Sequence, residues 1–152
     1  MVVLKFRAFY EGKMYGVKAV IWTSRGLYVT LDEGNKAGRR VRGAKLMQST
    51  GLFDKNGKEI FEGDVVKFND TWSEYDYEGY VDGASEGENF TEIIKTEDGF
   101  SFGRTKIPES SVFYFLNDEH MKFSEIVKSD DFNMVVIGNI YENLELLEAQ
   151  ND

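Results

Sequence analysis

The chain has 152 residues, 41% of them hydrophobic and 30% charged, a composition that can bury a core and excludes disorder. It contains no cysteine, so disulfides, thiolate nucleophiles and sulfur-ligated metals are excluded. The net charge of −9 is uneven: residues 1–48 carry +7, 49–68 carry −1, 69–100 carry −9 and 101–152 carry −6. That asymmetry suits ligand binding or self-association, unless the two parts interleave in one fold and neutralise each other.

The start, MVVLKFRAFYEGK, lacks the pattern of a signal peptide, and no apolar run approaches the ~20 residues of a membrane span. A soluble, cytoplasmic protein without membrane contact is expected. Fourteen per cent aromatics and fifteen Gly against a single Pro favour short strands joined by tight turns.

In chain order, VVLKFRAFY (Val2–Tyr10) alternates, with Leu4, Phe6 and Ala8 on one face and Lys5 and Arg7 on the other. EGK turns the chain into Met14–Trp22, and TSRG turns it again into Leu27–Leu31. After the polar loop DEGNKAG, Arg40–Gln48 reads as a fourth strand. Lys36, Arg39, Arg40, Arg42 and Lys45 form a basic cluster here, with Arg40 and Arg42 on one face and Val41 on the other.

Residues 49–68, STGLFDKNGKEIFEGDVVKF, pose the question of a site or a turn. As an EF-hand starting at Asp54, the loop would place Lys58 at position 5, Gly57 at 4 rather than 6, and Val65 at 12, so the calcium pattern fails. As a turn it explains more residues. The Asp54 carboxylate can accept from the N–H two residues on, Asn56 and Gly57 supply the corner, and Glu62-Gly63-Asp64 bends the chain again. Asp54, Asn56, Gly57, Gly63 and Asp64 are therefore assigned as structural turn residues.

Beyond, Asp82–Asn89 reads as a loop tip between two antiparallel arms, Tyr75–Val81 and Phe90–Ile94. Glu92–Phe102 and SVFYFL (Ser111–Leu116) read as strands. Asn117–Val127 reads as a helix capped by Asp118, with Phe123, Ile126 and Val127 on one face. Phe132–Tyr141 is a buried strand, and 143–150 a short helical segment. One mainly β domain over 1–152 follows: an antiparallel β-barrel or strongly bent sheet, with one or two short helices towards the C-terminus.

Three segments carry a family resemblance. LMQSTGLFDKNGKEIFEGDVVKF resembles the signature of the YopX protein family, found mainly in phages and prophages. KFRAFYEGKMY resembles its opening, with Phe9 where Trp is usual, and VIGNIYENLELL its end, with Leu144 where Pro is usual. Asn143 then reads as an N-cap and 144 as N1, where Pro is favoured. The resemblance implies a β-barrel fold that assembles into oligomers and assigns no biochemical role.

No nucleophile elbow, zincin helix or Walker loop is present, and the single histidine, His120, stands alone. No catalytic residue, metal or cofactor is expected. The leading expectation is a non-enzymatic, homo-oligomeric interaction or assembly protein, with a host or phage protein as a further partner. Leu144, Leu146 and Leu147 are candidates for the oligomer contact. The alternative is nucleic-acid binding through Lys36–Lys45, with Trp22 or Tyr28 stacking on bases, against which stands the pI of about 4.7.

Overall fold

The computed structural model describes residues 4–34 and 37–148. Among these described residues, ten strands, two short α-helices and one 3₁₀ turn succeed one another: β1 (Phe6–Tyr10), β2 (Lys13–Thr23), β3 (Gly26–Asp32), β4 (Arg39–Arg42), β5 (Lys45–Phe53), β6 (Glu59–Phe61), β7 (Asp64–Tyr75), β8 (Val81–Thr96), β9 (Gly99–Thr105), α1 (Ser111–Asn117), α2 (Phe123–Lys128), β10 (Val135–Asn139) and the 3₁₀ turn Leu144–Leu147. The fold is mainly β, with its helices in the last third. Among the described residues neither sheet closes into a barrel: the strand orders β4-β3-β2-β1-β5-β6 and β10-β7-β8-β9 are both open.

The chain divides into two compact units, Met1–Thr50 and Gly51–Asp152. The first is an antiparallel meander. β1 pairs β2, β2 pairs β3 and β3 pairs β4, while β5 returns to the other side of β1 with Ala8 opposite Leu46. Alternation sends Ala8, Val29, Leu31 and Val41 to one buried face. Arg40–Gln48, expected as one strand, is two. Gly43 (φ +80°) breaks it, because a left-handed residue ends the pairing with β3 and re-aims the chain towards β1.

In the second unit β7 lies between β10 and β8, and β9 completes the sheet. Val66, Phe68, Ile93, Phe102, Val112, Ile126 and Met134 form the core. SVFYFL is a helix, not a strand: five consecutive apolar residues carry no readable period, and Ser110 Oγ caps them by accepting from Val112 N (3.2 Å). The expected helix Asn117–Val127 is interrupted. Asp118 is the C-cap of α1 rather than an N-cap, His120 takes φ +54°, and α2 starts only at Phe123, where Glu125 Oε1 accepts from Lys122 N.

The expected loop tip at 82–89 is also strand. The chain reverses at Asp76–Tyr80 instead, and β7 pairs β8 from Val65↔Glu92 to Tyr75↔Val81. Beyond Thr71↔Glu86 neither strand has another neighbour among the described residues, so both faces of this two-stranded ribbon meet solvent. A strand exposed on both faces needs no apolar alternation, which is why its sequence reads as loop.

The C-terminal motif has a steric reason. A Cβ at Gly138 would lie 2.4 Å from Asn143 Oδ1, and that oxygen accepts from Asn139 N (3.2 Å). Asn139 Oδ1 in turn accepts from Tyr141 N and Glu142 N, both at 3.0 Å. Asn143 precedes the 3₁₀ turn as expected, although its side chain reaches back to β10 instead of capping the turn. Gly138→Ala is expected to lower the melting temperature by several degrees, since the new methyl must displace Asn143; a thermal melt followed by circular dichroism checks this.

Candidate functional site

Asp54 is buried, and both carboxylate oxygens are engaged. Oδ1 accepts from Asn56 N (2.9 Å) and Lys58 N (2.8 Å), and Oδ2 from Val136 N (2.9 Å), 82 residues away. Asp54 N donates to Lys58 O and Gly57 N to Asp54 O, with Gly57 at φ +81°. This is a turn, and its Asp fastens the turn to β10. Gly63 (φ +85°) makes a second brace, donating to Ile93 O and accepting from Ile140 N, both at 2.8 Å. The buried Asp64 Oδ2 accepts from Phe61 N (2.8 Å). Among the described residues no group of three or more His, Asp or Glu is placed to hold a metal ion.

The same turn occurs twice. At Asp76-Tyr77-Glu78-Gly79-Tyr80, Oδ1 of Asp76 accepts from Glu78 N and Tyr80 N (both 2.9 Å), Asp76 N donates to Tyr80 O, and Gly79 N to Asp76 O, with Gly79 at φ +90°. The readable signal was the shared Asp-x-x-Gly spacing in DKNGK and DYEGY. Asp54 anchors its copy to the core, whereas Asp76 holds the end of the exposed ribbon.

At the ribbon's base lies a buried polar network that sequence reading missed. Asp70 Oδ1 accepts from Thr71 N (2.8 Å), Ser111 N (2.9 Å) and Ser111 Oγ (2.6 Å), and Oδ2 from Asn89 Nδ2 (2.8 Å). Asn89 Nδ2 also donates to Ile107 O, while its Oδ1 accepts from Phe90 N and Ile107 N. The network ties β7, β8 and the start of α1 together, and nothing in the spacing of residues 70, 89, 107 and 111 announces it. A cleft of about 640 Å³ adjoins it, lined by Phe115, Met121 and Phe132 together with Glu86, Glu88 and Asp131. Its charged lining residues are all acidic, which disfavours anionic ligands.

The basic cluster is held differently residue by residue. Lys36 lies outside the described residues. Arg39 pairs with Glu33 (2.9 Å) and stacks over Tyr10 and Tyr15, and Arg42 stacks over Tyr28 (5.7 Å). Arg40 and Lys45 are exposed. Opposite Arg40 and Arg42 stand Thr30 and Tyr28, so the two arginines share the outer face of β2–β4 while Val41 is buried. Of the C-terminal leucines, Leu147 is buried, Leu146 half-buried and Leu144 exposed.

These braces fall in the second motif segment and the Gly138–Asn143 contact in the third, and a family model matches residues 5–148, nearly the whole chain, under the description YopX protein. The chain belongs to the YopX protein family. Its structure is similar to the crystal structure of protein EF1440 from Enterococcus faecalis, with 27% identity, a TM-score of 0.61, and coverage of 97% of this chain and 100% of that one. No curated protein matches. In this YopX protein no helix among the described residues is long and apolar enough to cross a membrane.

Substitutions at two positions test the Asp54 brace and the Asp70–Asn89 network. Asp54→Ala removes the acceptor of three N–H groups and is expected to cost about 3 kcal/mol in denaturant unfolding, with Asp54→Asn intermediate. Asn89→Asp sets a second buried carboxylate against Asp70, so it is expected to destabilise more than Asn89→Ala at pH 7. Urea midpoints of the two variants check this.

Proposed function

We propose that this YopX protein is a non-enzymatic interaction or assembly protein of phage or prophage type, acting in the cytoplasm of the bacterial host as a homo-oligomer. One observation carries the reading. The boundary between the compact units, at Thr50, falls where the sign of the charge changes. Residues 1–50 hold ten Lys and Arg against three Asp and Glu, and residues 51–152 hold eight against twenty-four. Each unit thus has its own net sign. Net charges of opposite sign on the two units suit heterologous contacts between copies, which close into rings when the rotation allows. The commitment of the buried Asp54 and Asp70 to N–H and O–H donors supports a structural role for these carboxylates over acid–base chemistry.

A second reading, nucleic-acid binding, has one observation in its favour: Arg40 and Arg42 lie beside Tyr28 on one open sheet face. Its weight is reduced by the large negative charge of the second unit, which repels phosphates.

Light scattering on a sizing column at about 50 mM and about 1 M salt separates the readings. Assembly through opposite charge gives a mass above the 17.4 kDa monomer at low salt that falls at high salt; a monomer under both conditions refutes it. Fluorescence anisotropy with single- and double-stranded DNA tests the second reading, which fails if Arg40→Ala with Arg42→Ala leaves the affinity unchanged.

A further inference from the structure

The ribbon formed by residues 71–86 carries five carboxylates and no lysine or arginine. It also bears large apolar side chains that nothing covers: Tyr77 is 96% exposed, Tyr80 69% and Val81 66%. An isolated two-stranded hairpin is marginally stable in water, yet this one is deliberately stiffened. Asp76 closes its turn with two N–H acceptances. Trp72 lies on Gly87, where a Cβ would come within 2.9 Å of the indole, and its Nε1 donates to Glu74 (3.1 Å). The Tyr75 hydroxyl donates to Glu109, whose carboxylate holds that phenol above the ordinary tyrosine range. Stiffening an arm whose end displays tyrosines in water lowers the entropic cost of docking that end on a partner.

Complementary chemistry exists on the same chain. The outer face of β2–β4 presents Arg40 and Arg42 from an edge strand, with Tyr28 beside them. Arginine over tyrosine is already the local mode of packing, as Arg42 over Tyr28 shows. We infer that the ribbon tip of one copy, through Tyr77, Tyr80 and the carboxylates of Glu78 and Asp82, docks on the Arg40–Arg42 face of a second copy. This rests on the assembly reading above and names its two surfaces. The contact is heterologous: every copy offers one arm and one receiving face.

Complementation with charge-reversed variants tests it, by light scattering at low salt. An arm variant, Glu78→Lys with Asp82→Lys, and a face variant, Arg40→Glu with Arg42→Glu, are each expected to run as monomers. Mixed together, they should co-assemble as alternating copies with a mass above the monomer, because the intact arm meets the intact face and the reversed arm meets the reversed face. The chain carrying all four changes should regain the wild-type mass. Tyr77→Ser, at a side chain with no packing to lose, is a milder arm variant and should weaken assembly at least ~10-fold, as loss of an aromatic anchor does. If wild type assembles and the arm variants keep its mass, the arm assignment is overturned while the assembly reading stands. Arm variants that are monomeric but do not pair with the face variant would also overturn it, by placing the arm on another surface. A wild-type monomer removes both readings.

Discussion

The second unit depends on one carboxylate. Asp54 stands where the chain leaves β5, and its two oxygens face in different directions. One closes a five-residue turn, and the other holds the backbone of β10 beside it. A neutral side chain with a single acceptor cannot do both, and a longer acid would have to coil its extra methylene inside a buried site. Local turn geometry and a contact spanning 82 residues are thus set by the same group. The conspicuous signature around it is a fastening whose pieces must all be present together. Gly63, bonded to both Ile93 and Ile140, extends the same logic to the strands on either side.

What could be read from the sequence follows from this. Strands with one buried face, such as those carrying Ala8 or Val29, announce themselves by alternation, and the turns at Gly57 and Gly63 by residue chemistry. The ribbon was misread because both its faces are wet, so neither Ser73 nor Ala84 opposite it has a side to conceal. Helix α1 was misread because Val112 to Leu116 are apolar without interruption, leaving the choice of period to Ser110 and to packing such as that of Phe115 on Phe132. The Asp70–Asn89 pair was not legible at all. Two polar residues 19 apart meet only once the β7–β8 register is known, and register is a property of the folded sheet.

The partition of charge has the same two-level character. The totals over the sequence reveal a basic beginning and an acidic remainder, and the fold shows that the change of sign coincides with the boundary between two compact units. Within the basic unit the cations are not equivalent. Arg39 is held by Glu33 and two tyrosines, Arg42 leans on Tyr28, and Arg40 projects from the edge strand. A cluster that looks uniform as a string of letters becomes a graded set, from side chains that hold the sheet together to one that is available to others.

The two tryptophans fall one to each unit, and their surroundings differ. Trp22 already sits mostly in water, whereas the Trp72 indole rests against the bare backbone of Gly87. Intrinsic emission from this chain therefore reports mainly on the ribbon. A red shift on mild heating or dilute denaturant would register fraying of that arm before the core melts, giving an optical handle on one element with no label attached.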